Sequence, residues 1–186
     1  NVLLASVVIA AAIMTAVSRI SLRKARRRAF ALAADLAEEG RVRNFFKQIS
    51  SSPDEILFVL RNPAVRGNLD DGELAKYYHA DLNEGQLTIQ EMSIILLTAF
   101  RDCIKILSRI PLAPTPTFLA VIKQIINRIR FRAFLNCYDL GTFMARDEYN
   151  SDHITRTQEL RRRGVRSAGI LHGMSTGPRV YPHIRY

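Results

Sequence analysis

The chain has 186 residues, 48% of them hydrophobic and 24% charged, a balance that suits one folded domain or at most two and excludes wholesale disorder or a collagen-like repeat. Twenty-seven Lys and Arg against 17 Asp and Glu leave a net +10, which points to an anionic partner: phospholipid headgroups, nucleic acid or a phosphorylated substrate. Two cysteines, Cys103 and Cys137, are too few for a disulfide framework or a Cys-rich zinc site and read as ordinary thiols. The chain starts at Asn1 and ends at Tyr186, soon after its most informative motif, and reads as a fragment.

Val2 to Val17 (VLLASVVIAAAIMTAV) is the strongest apolar run, without a charge, Gly or Pro. As a helix it covers roughly 24 Å, short of a ~30 Å hydrocarbon core, so it reads as a truncated transmembrane helix or, alternatively, as a buried strand or core helix. Arg19, Arg23, Lys24, Arg26, Arg27 and Arg28 follow with no acid until Asp35. Basic residues after the apolar run are the reverse of a signal peptide and mark the cytoplasmic side of a span, where they meet anionic lipid headgroups. The remainder is therefore expected on the cytoplasmic face of the inner membrane. A nucleic-acid reading of the same cluster lacks interleaved aromatics, with only Phe30 nearby.

Ala29 to Phe46 carries Phe30, Ala33, Ala34, Leu36 and Ala37 at helical spacing, with Gly40 as a stop. Glu55 to Leu60 is a short apolar run, strand or core helix, and Gly67 to Gly85 is polar, turn-rich and expected at the surface. Gln90 to Ile110 repeats apolar residues every three or four positions up to Pro111 and predicts one long amphipathic helix. Thr117 to Phe131 mixes isoleucines with Lys123, Arg128 and Arg130 as a basic amphipathic helix, suited to a core or to a headgroup layer.

Ala133 to Tyr138 and Thr142 to Ala145 are strand candidates around a turn at Asp139 to Gly141. Glu148 to Arg163 is helical and stops at Gly164, and Val165 to Leu171 is a small apolar strand leading to His172-Gly173. Strand, helix, strand makes a βαβ crossover whose carboxyl-end loops face one cleft, and Arg146-Asp147 and His172-Gly173 both stand at such ends. There His172, with Gly173 for close backbone approach and Ser175 and Thr176 supplying hydroxyls, suits proton abstraction from a substrate hydroxyl; Asp147 would orient it or act as the base. A plain structural turn explains the same residues. No phosphate-binding glycine loop, H-E-x-x-H or paired CxxC is present, and His153 and His79 read as isolated surface residues. These expectations divide the chain into a membrane anchor and basic collar (1–28), a mainly helical membrane-proximal region (29–132) and a βαβ unit (133–186) of an α/β, partly Rossmann-like parallel-sheet fold.

The segment Arg146-Asp-Glu-Tyr-Asn-Ser-Asp-His153, Arg156-Thr157, Leu160 to Gly164, Ala168-Gly-Ile-Leu-His-Gly173 and Tyr181-Pro-His-Ile-Arg-Tyr186 resembles bacterial surface-polysaccharide biosynthesis proteins of the capsule and teichoic-acid kind. Leu171 departs from the polar residue that many of them carry before His-Gly. The resemblance implies the acceptor-side half of a glycosyltransferase with two Rossmann domains (GT-B type), acting on a lipid-linked or polysaccharide acceptor. It makes His172 and Asp147 the catalytic candidates, with Arg146, Tyr149, Asn150 and Gly173 as cleft residues. A nucleotide-sugar is then a substrate bound mainly by a C-terminal domain not present in this stretch, with no cofactor and no metal. A non-catalytic membrane-anchored scaffold is the alternative.

Overall fold

The computed structural model describes residues 2–21, 27–36, 52–60, 76–109, 115–145 and 151–169. The chain divides into two compact units: Asn1–Arg26 with Gly85–Cys137, and Arg27–Glu84 with Tyr138–Tyr186.

The first unit is helical, with α1 (Val2–Val17), α2 (Ile89–Arg109) and α3 (Thr115–Cys137). Ala12 and Ala16, one turn apart, let α1 approach closely, and they share a core with Leu87, Ile95, Ile129 and Ala133. Met92, Leu96 and Ile125 pack around it. The start of α2 is a capping box: the Glu91 amide donates to Thr88 Oγ1 at 3.2 Å and the Thr88 amide to Glu91 Oε2 at 3.3 Å. Asn136 of α3 ties into it, its Nδ2 donating to Glu91 Oε2 at 2.5 Å and to the Gln86 carbonyl at 2.9 Å. Gly85 is required just before, because a Cβ there would collide with the backbone of Ala133 and Phe134. α1 is thus one member of a packed trio, and among the described residues no helix is long and apolar enough to cross a membrane.

The second unit is a Rossmann-like sheet of five parallel strands in the order β3-β2-β1-β4-β5: β1 (Arg28–Leu36), β2 (Ile56–Leu60, after a 3-10 turn at Pro53–Glu55), β3 (Tyr78–Asp81), β4 (Tyr138–Ala145) and β5 (Arg166–Gly169). β4 and β5 are joined by α4 (Ser151–Arg162), the expected crossover. All five residues of β2 are buried, the mark of a strand covered on both faces, and each large side chain so buried contributes roughly 1.5–3 kcal/mol.

Three sequence expectations are corrected. Residues 28–36 form the central strand, not a helix: in RAFALAADL the apolar positions are nearly continuous, which satisfies either period, and burial between β2 and β4 overrides the helix propensity of alanine. The Ala133 to Tyr138 strand and the Asp139 to Gly141 turn are replaced by the last turns of α3 and a continuous β4. Gly141 sits inside that strand because a Cβ would lie 2.7 Å from the Ala31 carbonyl oxygen of β1. Finally, Tyr78–Asp81, read as surface, is the strand β3. The stretch 29–132 thus supplies most of β1 together with β2 and β3, alongside α2 and most of α3.

Candidate functional site

In open parallel sheets ligands gather at the carboxyl edge where strand order reverses, here between β1 and β4. At that edge Ala145, the last residue of β4, pairs in register with Gly169, the last of β5. The two chain segments that carry the candidate chemistry therefore leave the sheet side by side. Arg146, Asp147, Tyr149 and Asn150, and beyond Gly169 His172, Gly173, Ser175 and Thr176, lie outside the described residues.

One residue before the end of β1, Asp35 is buried, and its Oδ2 accepts from Arg156 Nη1 of α4 at 3.2 Å. Arg156 is only 1% exposed, and its guanidinium lies over the Phe143 ring of β4 at 5.5 Å. Its Nη2 stands 3.1 Å from Nδ1 of His153, one turn earlier in α4. A guanidinium offers only donors, so this Nδ1 accepts and the ring proton sits on Nε2. His153, Thr155, Arg156 and Glu159 are all buried, giving α4 an inward face that is mostly polar. Glu159 accepts from Arg162 Nε at 2.9 Å. The buried Asp35–Arg156 pair loses hydration on both sides and repays it only through good geometry, so its contribution is to fix position rather than to add large stability. It holds the first turns of α4 against β1 and β4, immediately after the five-residue connection Arg146 to Asn150.

The expectation that His153 and His79 are isolated surface residues is thereby corrected. His153 is a buried member of this network, and the half-buried His79 stacks on Phe58 with ring centroids 5.7 Å apart. Nothing near Asp35 in sequence marks its role, since its partner Arg156 is 121 residues away. The available signal was His153 and Arg156 at i, i+3 on a helix with few apolar residues to bury.

The basic collar is spread over different environments. Arg19 is half-buried, with its carbonyl accepting from the Leu87 amide at 2.8 Å. Arg27 is exposed, and Arg28 lays its guanidinium 4.1 Å from the centre of the Tyr78 ring, beside Phe30, at the amino edge of the sheet. Arg23, Lys24 and Arg26 lie outside the described residues. Among the described residues, open cavities lie beside the sheet. One, of about 420 Å³ at the amino edge, is lined by Phe30, Asp54, Glu55 and Asp139. Another, of about 520 Å³ beside β5, is lined by Thr142, Thr157, Arg161, Arg166 and Ser167, a donor set that suits an anion. Among the described residues no three His, Cys, Asp or Glu side chains gather to hold a metal. No family model, curated protein or solved structure matches the chain.

Proposed function

We propose that the carboxyl edge of this sheet is the acceptor side of a glycosyltransferase cleft in bacterial surface-polysaccharide biosynthesis. His172, or Asp147 in its place, takes the proton of an acceptor hydroxyl as that oxygen bonds to the anomeric carbon of a nucleotide-sugar, and the nucleotide departs with the electrons of the broken C–O bond. Arg146, Tyr149 and Asn150 line the cleft, Gly173 admits the acceptor backbone-close, and Ser175 and Thr176 hold its hydroxyls. The observation that carries this reading is the register pairing of Ala145 with Gly169: Asp147 stands two residues beyond the first in sequence and His172 three beyond the second. The anchoring of α4 by Asp35, Arg156 and His153 supports it further, because general-base chemistry needs its groups held in fixed geometry.

The test is sugar transfer by the full-length gene product. His172→Ala is expected to lower kcat by about 10²–10⁴-fold, the usual contribution of a general base, with the nucleotide-sugar KM little changed. Near wild-type turnover removes His172 from the mechanism. Loss on Asp147→Asn instead transfers the role to the carboxylate. A non-catalytic scaffold would show no transfer in the wild type under the same assay.

A further inference from the structure

Charge and exposed apolar surface are segregated together in this chain. The helical unit, residues 1–26 and 85–137, holds eleven of the 27 Lys and Arg but only Glu91 and Asp102 of the 17 Asp and Glu, so it carries +9 of the net +10 and leaves +1 to the sheet unit. The same unit exposes large hydrophobic side chains in a row. On α2, Met92, Ile95, Leu96 and Ala99 face the core, while Ile94, Leu97, Phe100 and Ile104 emerge on the other side, Leu97 70% exposed. Single exposed hydrophobics are ordinary, but four at helical spacing on one helix form a continuous apolar strip. Arg101 and Lys105, both exposed, stand within it. On α1, Met14 is 74% exposed, and Val17 is exposed one turn further on.

We propose that the outer face of α2 docks the protein in the plane of an anionic lipid bilayer, Leu97, Phe100 and Ile104 entering the acyl boundary while Arg101 and Lys105 meet headgroup phosphates. The occupant is a bilayer because the face sets apolar depth beside two exposed cations on a unit of net +9: nucleic acid would use the charge and leave the apolar strip in water, and a second copy of this unit would bring +9 against +9. The docking element is thus an in-plane helix in mid-chain rather than the Val2 to Val17 run. This inference stands independently of the transferase reading.

Flotation of the full chain with vesicles of phosphatidylcholine containing a minority of phosphatidylglycerol tests it. The wild type is expected to float with these vesicles, and far less with pure phosphatidylcholine or in high salt. Leu97→Glu with Phe100→Glu is expected to lower the bound fraction roughly tenfold or more, with the far-UV circular dichroism unchanged because both sites are solvated. Arg101→Glu with Lys105→Glu, which leaves the strip intact, is expected to reduce binding to the level seen on neutral vesicles. Undiminished flotation of both variants, or no flotation of the wild type, overturns the proposal. So does a dimer by light scattering that Leu97→Glu with Phe100→Glu dissolves without vesicles mattering, or a DNA duplex that displaces the protein from vesicles and binds that apolar-strip variant equally well.

Discussion

Arg156 concentrates the chemistry of the sheet unit in one side chain. Its guanidinium is charged, almost fully buried, and meets the Asp35 carboxylate and the His153 imidazole, so removing it takes a charge-assisted partner from a buried carboxylate in a low-dielectric setting. Arg156→Met is expected to cost about 3–5 kcal/mol in urea unfolding, because the buried Asp35 then loses the Arg156 guanidinium. Arg156→Met combined with Asp35→Leu is expected to cost less than Arg156→Met alone, which separates the penalty on the buried carboxylate from loss of packing. An equal or larger loss in the double variant would show that packing over Phe143 dominates. None of this network was legible in the sequence as a contact. His153 and Arg156 share a helix, but nothing in a linear reading joins them to an aspartate at the far end of another strand.

Elements with a hard boundary were the legible ones. α2 was readable because its apolar spacing is sustained up to Pro111, and α4 because Gly164 ends it. The structure gives that ending its geometry: Gly164 adopts φ +73°, its amide donates to the Arg161 carbonyl at 3.0 Å and the Val165 amide to the Leu160 carbonyl at 3.0 Å, the paired bonds of a Schellman cap. Open space surrounds the site of a Cβ there, so Gly164→Ala tests backbone conformation alone. It is expected to destabilise by about 1 kcal/mol in thermal or urea unfolding, and no change would mean that the cap relaxes freely. The join of α3 to β4 was illegible for the opposite reason. Helix ends at Cys137 and strand begins at Tyr138 with no glycine, proline or polar turn between them, so apolar periodicity alone had nothing to break on. β1 failed similarly, its alanines reading as helix until the two neighbouring strands are known.

Across the whole molecule, the fold class and the βαβ crossover were legible because they depend on order and spacing, whereas the membership of the sheet was not, since β1 comes from a stretch that reads as helix, β3 from one that reads as surface, and β2 from a run that reads as strand or core helix. β1 is hydrogen-bonded on both sides, to β2 and to β4, and most of its side chains are buried. Amides of β1, with those of β2 and β4, are expected to exchange slowest with solvent deuterium, ahead of β3 and β5. Faster exchange in β1 than in β3 would mean that the sheet opens through its middle. Residues 85–137 of the helical unit lie between β3 and β4, so the partner of Ala33 on one side is nearby Leu57 while on the other it is the distant Phe143. On the ribosome, β1 and β2 emerge long before β4 exists, leaving the future middle of the sheet as a naked edge while more than fifty further residues are translated. Such an edge invites strand addition by another nascent chain, so this protein is expected to lean on chaperones during its synthesis and to fold slowly, at a pace set by late closure of one long-range seam.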